Sequence, residues 1–273
     1  MIGPYFAIDY QVHSYRSHDG KASIREQCQR AVELGLNEIG FTEHKDFDPA
    51  DPVVDHFNYD RYVEEIQAAR NEFGDRLTIR MGVEVDYQKW FEDEIKTYLE
   101  AHLFDYVLGA VHYVDRYTVM TPAYVEGKSR EEAYSRYFSA VLDSVESGLI
   151  DVVAHLEYAN RRGVGAYGPY DWTPYREQVS ELFDKMVARN VALEINTAGL
   201  RQGAGHTYPC EAHVALYVQR GGTLLTIGSD SHHPEDLGAS YESAAEIAIR
   251  NGLDSVCTWQ DRRPAVVPLL AQS

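Results

Sequence analysis

Asp9-Tyr10-Gln11-Val12-His13-Ser14-Tyr15-Arg16-Ser17-His18-Asp19-Gly20 follows a short apolar run, Tyr5 to Ile8, that reads as a strand. The stretch packs a carboxylate, two imidazoles and a second carboxylate into eleven residues. Such donors, arriving at the end of a strand, are what a divalent cation takes. A polar loop leading into a helix would look the same. The reading turns on whether later strands end the same way.

They do. Ser23 and Glu26 form a capping box for a helix to Leu34, with Ile24, Cys28, Ala31 and Val32 on one face. Gly35 ends it, and the strand Glu38 to Thr42 delivers Glu43-His44. Asn58 caps a helix with Tyr62, Val63, Ile66, Ala69 and Phe73 inward, stopped by Gly74. The strand Thr78 to Val85 delivers Glu84 and Asp86. A weaker helix, Trp90 to Ala101, precedes the strand Tyr106 to Val111, which delivers His112. Ser129 and Glu132 open a helix ending at Gly148, and the strand Asp151 to Ala154 delivers His155. Thr173 and Pro174 are read as N-cap and first residue of the next helix. The strand Val191 to Ile195 then delivers Asn196. A helix near Cys210 to Gln219 leads to the strand Thr223 to Ile227, which delivers Asp230 and His232. Pro234 is read as starting another helix, and Asp254 to Trp259 as a last strand.

Strands alternating with helices imply a parallel sheet with right-handed crossovers. Connections before strands are short, as in Gly35-Leu36-Asn37, and those after strands are long, as in Lys45 to Phe57. Long loops on one face mark the functional face of a barrel. No G-x-G-x-x-G or P-loop supports an open doubly wound sheet. The 273 residues suit one α/β barrel domain over 1–273.

The formal net charge of -18 argues against nucleic acid as partner, since affinity there rests on neutralising phosphates. A small phosphorylated substrate remains open if bound cations reverse the local sign. No run approaches a membrane span, and no basic-then-apolar leader opens the sequence. Three scattered cysteines, Cys28, Cys210 and Cys257, suggest neither disulfides nor a zinc ribbon, and a reducing cytoplasm fits. The oligomeric state is not legible.

Six strand ends carry His13, His44, Glu84, His112, His155, and Asp230 with His232. In a parallel barrel these converge on one face as ligands for zinc, manganese or iron. The set resembles the PHP (polymerase and histidinol phosphatase) superfamily, and within it the histidinol-phosphate phosphatases. The family's H-x-H, with an acid six residues on, appears as Gln11-Val12-His13 and Asp19. Further matches are Phe41-Thr42-Glu43-His44, Gly82-Val83-Glu84, Gly109-Ala110-Val111-His112-Tyr113, Ala154-His155-Leu156 and Gly228-Ser229-Asp230-Ser231-His232.

The resemblance implies a distorted, TIM-like (β/α)7 barrel with two or three divalent ions. One position would use His13, Glu84 and Asp230, with Gln11 in place of the usual histidine. A second would use Glu84, His112 and His155, so that Glu84 bridges, and a third Asp19, His44 and His232. A glutamine oxygen is a poorer ligand than imidazole, so the first position is the one in question. The implied chemistry is hydrolysis of a phosphomonoester, histidinol phosphate above others, by a metal-bound hydroxide attacking phosphorus in line. Asp230 or His232 would serve as proton donor. Arg161 or Arg162 and Arg201 would meet the phosphate, and Tyr113 and Tyr208 would line the pocket. Another phosphate ester, a nucleotide, or a metal-binding protein with weakened catalysis are the alternatives. His18 and His233 are read as outlying, and His56, His102, His206 and His213 as surface or loop.

Overall fold

Seven runs of β-forming residues pair side by side in the computed structural model, which describes residues 3–270. They are β1 (Ile8–Val12), β2 (Glu38–Lys45), β3 (Thr78–Asp86), β4 (Tyr106–Ala110), β5 (Val152–Val153), β6 (Ala192–Asn196) and β7 (Leu225–Gly228). Neighbours follow chain order and every pair is parallel. The two edges meet at a parallel bridge between Val12 and Ser231, where the His13 N–H donates to the Ser231 carbonyl at 2.8 Å. The result is a seven-stranded barrel, distorted where β5 shrinks to two residues.

Register sets the site. His44 on β2 pairs with Glu84 on β3, and Glu84 pairs with Leu108 on β4. Residues of one parity, such as Gly40, Thr42 and His44, share a face. Below the ligand layer the barrel is filled by Tyr106, whose hydroxyl donates to the Tyr10 carbonyl at 2.8 Å. A Cβ at Gly40 or Gly82 would lie 2.1 Å and 2.6 Å from that tyrosine, so only glycine leaves room for the ring.

Local signals account for the helices. Ser23 and Glu26 complete their capping box, with Gly35 closing α1 (Ile24–Leu34) at φ 78°. Asn58 caps α2 (Tyr59–Phe73) by accepting from the Arg61 N–H. Ser129 and Gly148 bracket the long helix Arg130–Ser147.

Four boundaries differ from the sequence reading. The first strand runs from Ile8, not Tyr5, because Phe6 pairs instead with Leu269 near the C-terminus. Its polar residues Asp9 and Gln11 are buried inside the barrel, which an apolar criterion misses. Thr173 and Pro174 lie in a 3-10 turn before the helix Arg176–Arg189. Pro234 begins only a three-residue turn, and the helix starts at Tyr241. The run after Asp254 is a strand, but it forms an antiparallel hairpin with Arg263–Pro268 outside the barrel. No helix of the described residues is long and apolar enough to cross a membrane.

Candidate metal centre

Glu84 is fully buried at the top of β3, and the carboxylate faces four histidines. Oε1 lies 2.9 Å from His155 Nε2 and 3.4 Å from His112 Nε2. Oε2 lies 3.2 Å from His13 Nε2 and 3.6 Å from His44 Nδ1. The two oxygens thus address two different sets of donors. Asp230 Oδ1 stands 3.4 Å from His13 Nε2 and 3.5 Å from His232 Nδ1. Asp19 reaches His232 Nε2 at 3.2 Å and His44 Nε2 at 3.7 Å. The rings pack closely: His13 stacks on His44 at 4.4 Å and on His232 at 4.3 Å.

Whether this cluster suits cations is a question of which atoms lack partners. His13 Nε2, His155 Nδ1 and Asp19 Oδ1 are buried without a hydrogen bond. Ser17 makes the His13 case firm. Its hydroxyl donates to Glu43 at 2.7 Å, so toward His13 Nδ1, 3.1 Å away, it is an acceptor. The proton therefore sits on Nδ1, and the Nε2 lone pair points between two carboxylates. That is the tautomer of a metal-binding imidazole.

The electrostatics agree. Burial pulls His44 down to about 3 and His112 to about 4, against the partial support of Glu84, so both are neutral donors at ordinary pH. Burial pushes Glu84 up, but the charge of His44 and the close approach of His13 and His155 hold it well below the carboxylate range. Asp230 is likewise held low, against burial, by the close approach of His13 and the charge of His232. Burial lowers His13, yet Asp230 and Glu84 raise it well above 6.5, so without a cation the site recruits a proton in its place. Backbone strain gathers here too: His155 sits at φ 26° and Asp230 at φ 55°, a region L-residues rarely adopt.

Gln11 is placed differently from a ligand. The Ala198 N–H donates to Asn196 Oδ1 at 2.9 Å, which turns the Asn196 amide N–H₂ toward Gln11 Oε1 at 2.6 Å. Gln11 Nε2 then donates to Glu84 Oε2 at 2.8 Å. The oxygen expected to meet a cation is already engaged, and the amide steadies the bridging carboxylate instead.

A cavity of about 350 Å³ opens over the cluster, lined by Asp19, Arg161, Arg201, Gln202, Asp230, His232 and Asp236. Arg161 is braced by the Tyr158 hydroxyl at 2.7 Å, and Arg201 by the Ser229 carbonyl at 2.7 Å and Asp236 at 3.4 Å. Arg162, Tyr113 and Tyr208 are not among its lining residues. Arg162 has a buried Nε without a partner. Tyr113 turns its hydroxyl to Asp51 at 2.9 Å and lines a separate cavity with Tyr87 and Trp90. Tyr208 is buried against Tyr158.

Four further acids support the ligands through hydrogen bonds that the sequence does not specify. Glu43 is buried and accepts from the Ser14 and Ser17 hydroxyls at 2.7 Å each, tying the opening loop to β2. Asp86 accepts the His112 N–H at 2.9 Å, and Glu194 accepts the His155 N–H at 2.7 Å. Asp9 accepts the Ser229 and Gly238 N–H groups at 2.8 Å and 2.9 Å, orienting the loop that carries Asp230. Their signal was an acid beside a ligand position within an otherwise apolar run.

Proteins with known names resemble this chain in sequence and fold. Residues 9–198 match the PHP domain family. The histidinol-phosphatase of Lactococcus lactis is 30% identical over 92% of this chain and 94% of its own. The histidinol-phosphatase of Bacillus subtilis is 27% identical over 87% of this chain and 98% of its own. The crystal structure of the Lactococcus lactis histidinol phosphate phosphatase, complexed with zinc, L-histidinol and phosphate, superposes with a TM-score of 0.86 at 28% identity, covering 95% of this chain and 99% of that one. With six ligand-bearing strand ends on one barrel face and a family match across most of its length, this chain belongs to the PHP domain family.

Proposed function

We propose that the protein is a metal-dependent phosphomonoesterase that hydrolyses L-histidinol phosphate to L-histidinol and phosphate. The observation that carries this reading is the Glu84 carboxylate shared among histidines of four strand ends, beneath a cavity holding Arg161 and Arg201. The cluster supplies donors and the arginines supply anion recognition. Together they suit a small phosphate ester, and the zinc, histidinol and phosphate bound by the Lactococcus lactis structure support that substrate.

Zinc is the cation we assign. Glu84, His112 and His155 would hold one ion and Asp19, His44 and His232 another. His13, Glu84 and Asp230 form a third, weaker position, because Gln11 gives its amide proton to Glu84 and offers no free oxygen. Bound divalent cations supply a nucleophilic water at neutral pH and neutralise the phosphoryl charge.

The chain's own groups do the rest. Arg161 and Arg201 clamp the phosphoryl oxygens and fix phosphorus above the cluster. Asp230, a carboxylate at neutral pH, takes the proton of the attacking water at Oδ1. The bond from phosphorus to the alcohol oxygen breaks, and Asp230, aided by His232 3.5 Å away, returns the proton to that oxygen. No residue forms a covalent intermediate. The acidic exterior is overridden locally, and the reducing cytoplasm, where Cys28, Cys210 and Cys257 stay out of disulfides, is the compartment we assign.

Turnover of a phosphomonoester panel tests the reading. L-Histidinol phosphate should give the highest kcat/KM, with p-nitrophenyl phosphate as a slow generic substrate. Equal rates across the panel would reject the substrate assignment, and no turnover with added zinc or manganese would reject the activity.

A further inference from the structure

A second cluster of metal-type donors lies outside the Glu84 centre, and nothing in the proposed hydrolysis uses it. Glu157 follows β5, and Cys210 caps the helix Glu211–Gln219 that carries His213. One donor atom from each of Glu157, Cys210 and His213 falls within 4.8 Å of the other two. Cys210 Sγ is 3.4 Å from Glu157 Oε1, and the Cys210 N–H donates to Glu157 Oε2 at 2.8 Å. His213 Nδ1 abuts Glu157 Oε1, and His206 Nδ1 stands 3.7 Å from Oε2 but donates to the Thr207 carbonyl at 2.7 Å, which leaves Nε2 as its free nitrogen. The sequence reading placed His206 and His213 on surface or loop. The structure instead buries His213 completely.

We propose that Glu157, Cys210 and His213, with His206 as the fourth donor, form a structural zinc site distinct from the Glu84 centre. His213 Nε2 makes no hydrogen bond although the ring is 0% exposed, His213 Nδ1 meets only the Glu157 carboxylate, and His206 Nε2 is also buried and unpartnered. Beyond Glu157, the surroundings of His213 are aromatic. His213 is boxed by the rings of Phe138, Tyr170, Trp172 and Phe183, between 5.3 Å and 6.3 Å away. Among the described residues no lysine or arginine pairs with Glu157. A carboxylate buried in such a box needs a cation. A divalent ion that displaces the Cys210 proton leaves one thiolate and one carboxylate against two positive charges, a neutral buried site. Sulfur, imidazole and carboxylate together are a zinc donor set, and thiolate selects against magnesium and manganese. Glu157 sits at φ 80°, which turns its side chain to this point.

The location gives the ion a task. Glu157 precedes the short helix Asn160–Tyr167, which carries Arg161, and Cys210 follows the loop that carries Arg201. Zinc here joins the two loops whose arginines face the cavity. The link to the Glu84 centre runs through Tyr158, which packs on His155 at 4.4 Å and on Tyr208 at 5.8 Å.

Cobalt(II) substitution reads this site without relying on turnover. The donors around Glu84 are all nitrogen and oxygen, so a thiolate-to-cobalt charge-transfer band in the near ultraviolet reports sulfur ligation alone. Wild-type protein and Cys28→Ser should show the band, and Cys210→Ser should lack it and retain one zinc equivalent fewer on elemental analysis. X-ray absorption of the zinc-loaded wild type should show zinc–sulfur scattering, which keeps the test decisive if Cys210→Ser fails to fold. Wild-type protein at full metal loading with no thiolate band and no zinc–sulfur scattering would overturn the proposal, as would a band that survives in Cys210→Ser.

Discussion

Replacing Gln11 by histidine restores the imidazole seen in the family's opening motif and removes the amide that steadies Glu84. The wild-type side chain makes two buried hydrogen bonds, 2.8 Å to the Glu84 carboxylate and 2.6 Å from Asn196. The charge-assisted one contributes about 1.5–3 kcal/mol and the neutral one about 1 kcal/mol. Chelator-stripped Gln11→His protein should therefore lose about 2.5–4 kcal/mol, which for a chain of this size lowers Tm by roughly 4–8 °C. Zinc should reverse the loss, because the new ring nitrogen completes the position built from His13, Glu84 and Asp230. At free zinc of about 100 times Kd the gain is ~2.7 kcal/mol. Differential scanning calorimetry of stripped and loaded protein, with elemental analysis, measures both halves. The expected result is a lower stripped Tm, a larger rise on loading, and about one more zinc per chain than wild type. An unchanged stripped Tm together with unchanged stoichiometry would refute the amide's role at Glu84.

Other perturbations separate the parts of the site. Arg201→Ala should raise KM for a phosphomonoester about 10- to 100-fold through loss of a charge-assisted contact, with metal content unchanged on elemental analysis. Ser17→Ala removes the acceptor that fixes the His13 proton on Nδ1 and a donor to buried Glu43, and should weaken zinc affinity by about 10- to 100-fold in a competitive chelator titration. Glu194 tests pH linkage. Burial raises this carboxyl from 4.5 to about 8, so between those values the folded state holds a proton that the unfolded chain has released. Stability of stripped wild-type protein should therefore fall as pH rises from about 5 to about 8, by up to ~5 kcal/mol from this group. Glu194→Gln cannot titrate, so its stability relative to wild type should grow over that interval in urea denaturation. A constant difference between pH 5 and pH 8 counts against the buried, protonated carboxyl.

The ligand layer was legible in the sequence because it violates the pattern around it. His112 and His155 each end an apolar run where a packed core would continue with another apolar residue, Glu84 interrupts one between Val83 and Val85, and His44 follows a strand. The loops before and after those strands differ in length, which placed the ligands on one face. What supports the ligands was not legible. Glu43, Asp86 and Glu194 act through hydrogen bonds to residues far away in sequence, and a buried acid beside a histidine carries no mark of its partner. Gln11 could be seen as a departure, but its direction depends on Asn196, whose orientation depends in turn on the Ala198 N–H. Tyr113 adjoins His112 in sequence, and its hydroxyl donates to Asp51 from the hairpin Tyr113–Val114 with Tyr117–Thr118. The barrel count could not be settled by periodicity, since the run after Asp254 has strand character and only its antiparallel partner Arg263–Pro268 removes it from the barrel.

The central claim is that Glu84 anchors the cation held with His112 and His155 and that hydrolysis depends on that cation. Steady-state turnover of L-histidinol phosphate by Glu84→Gln, measured beside its metal content, tests this most directly. Glutamine keeps the shape but loses the charge and one of the two oxygens that face the histidine pairs. The account predicts at least one zinc equivalent lost and kcat down by about two to three orders of magnitude, comparable to removing a principal electrostatic element of an active site. Wild-type turnover with full metal content in Glu84→Gln would contradict it.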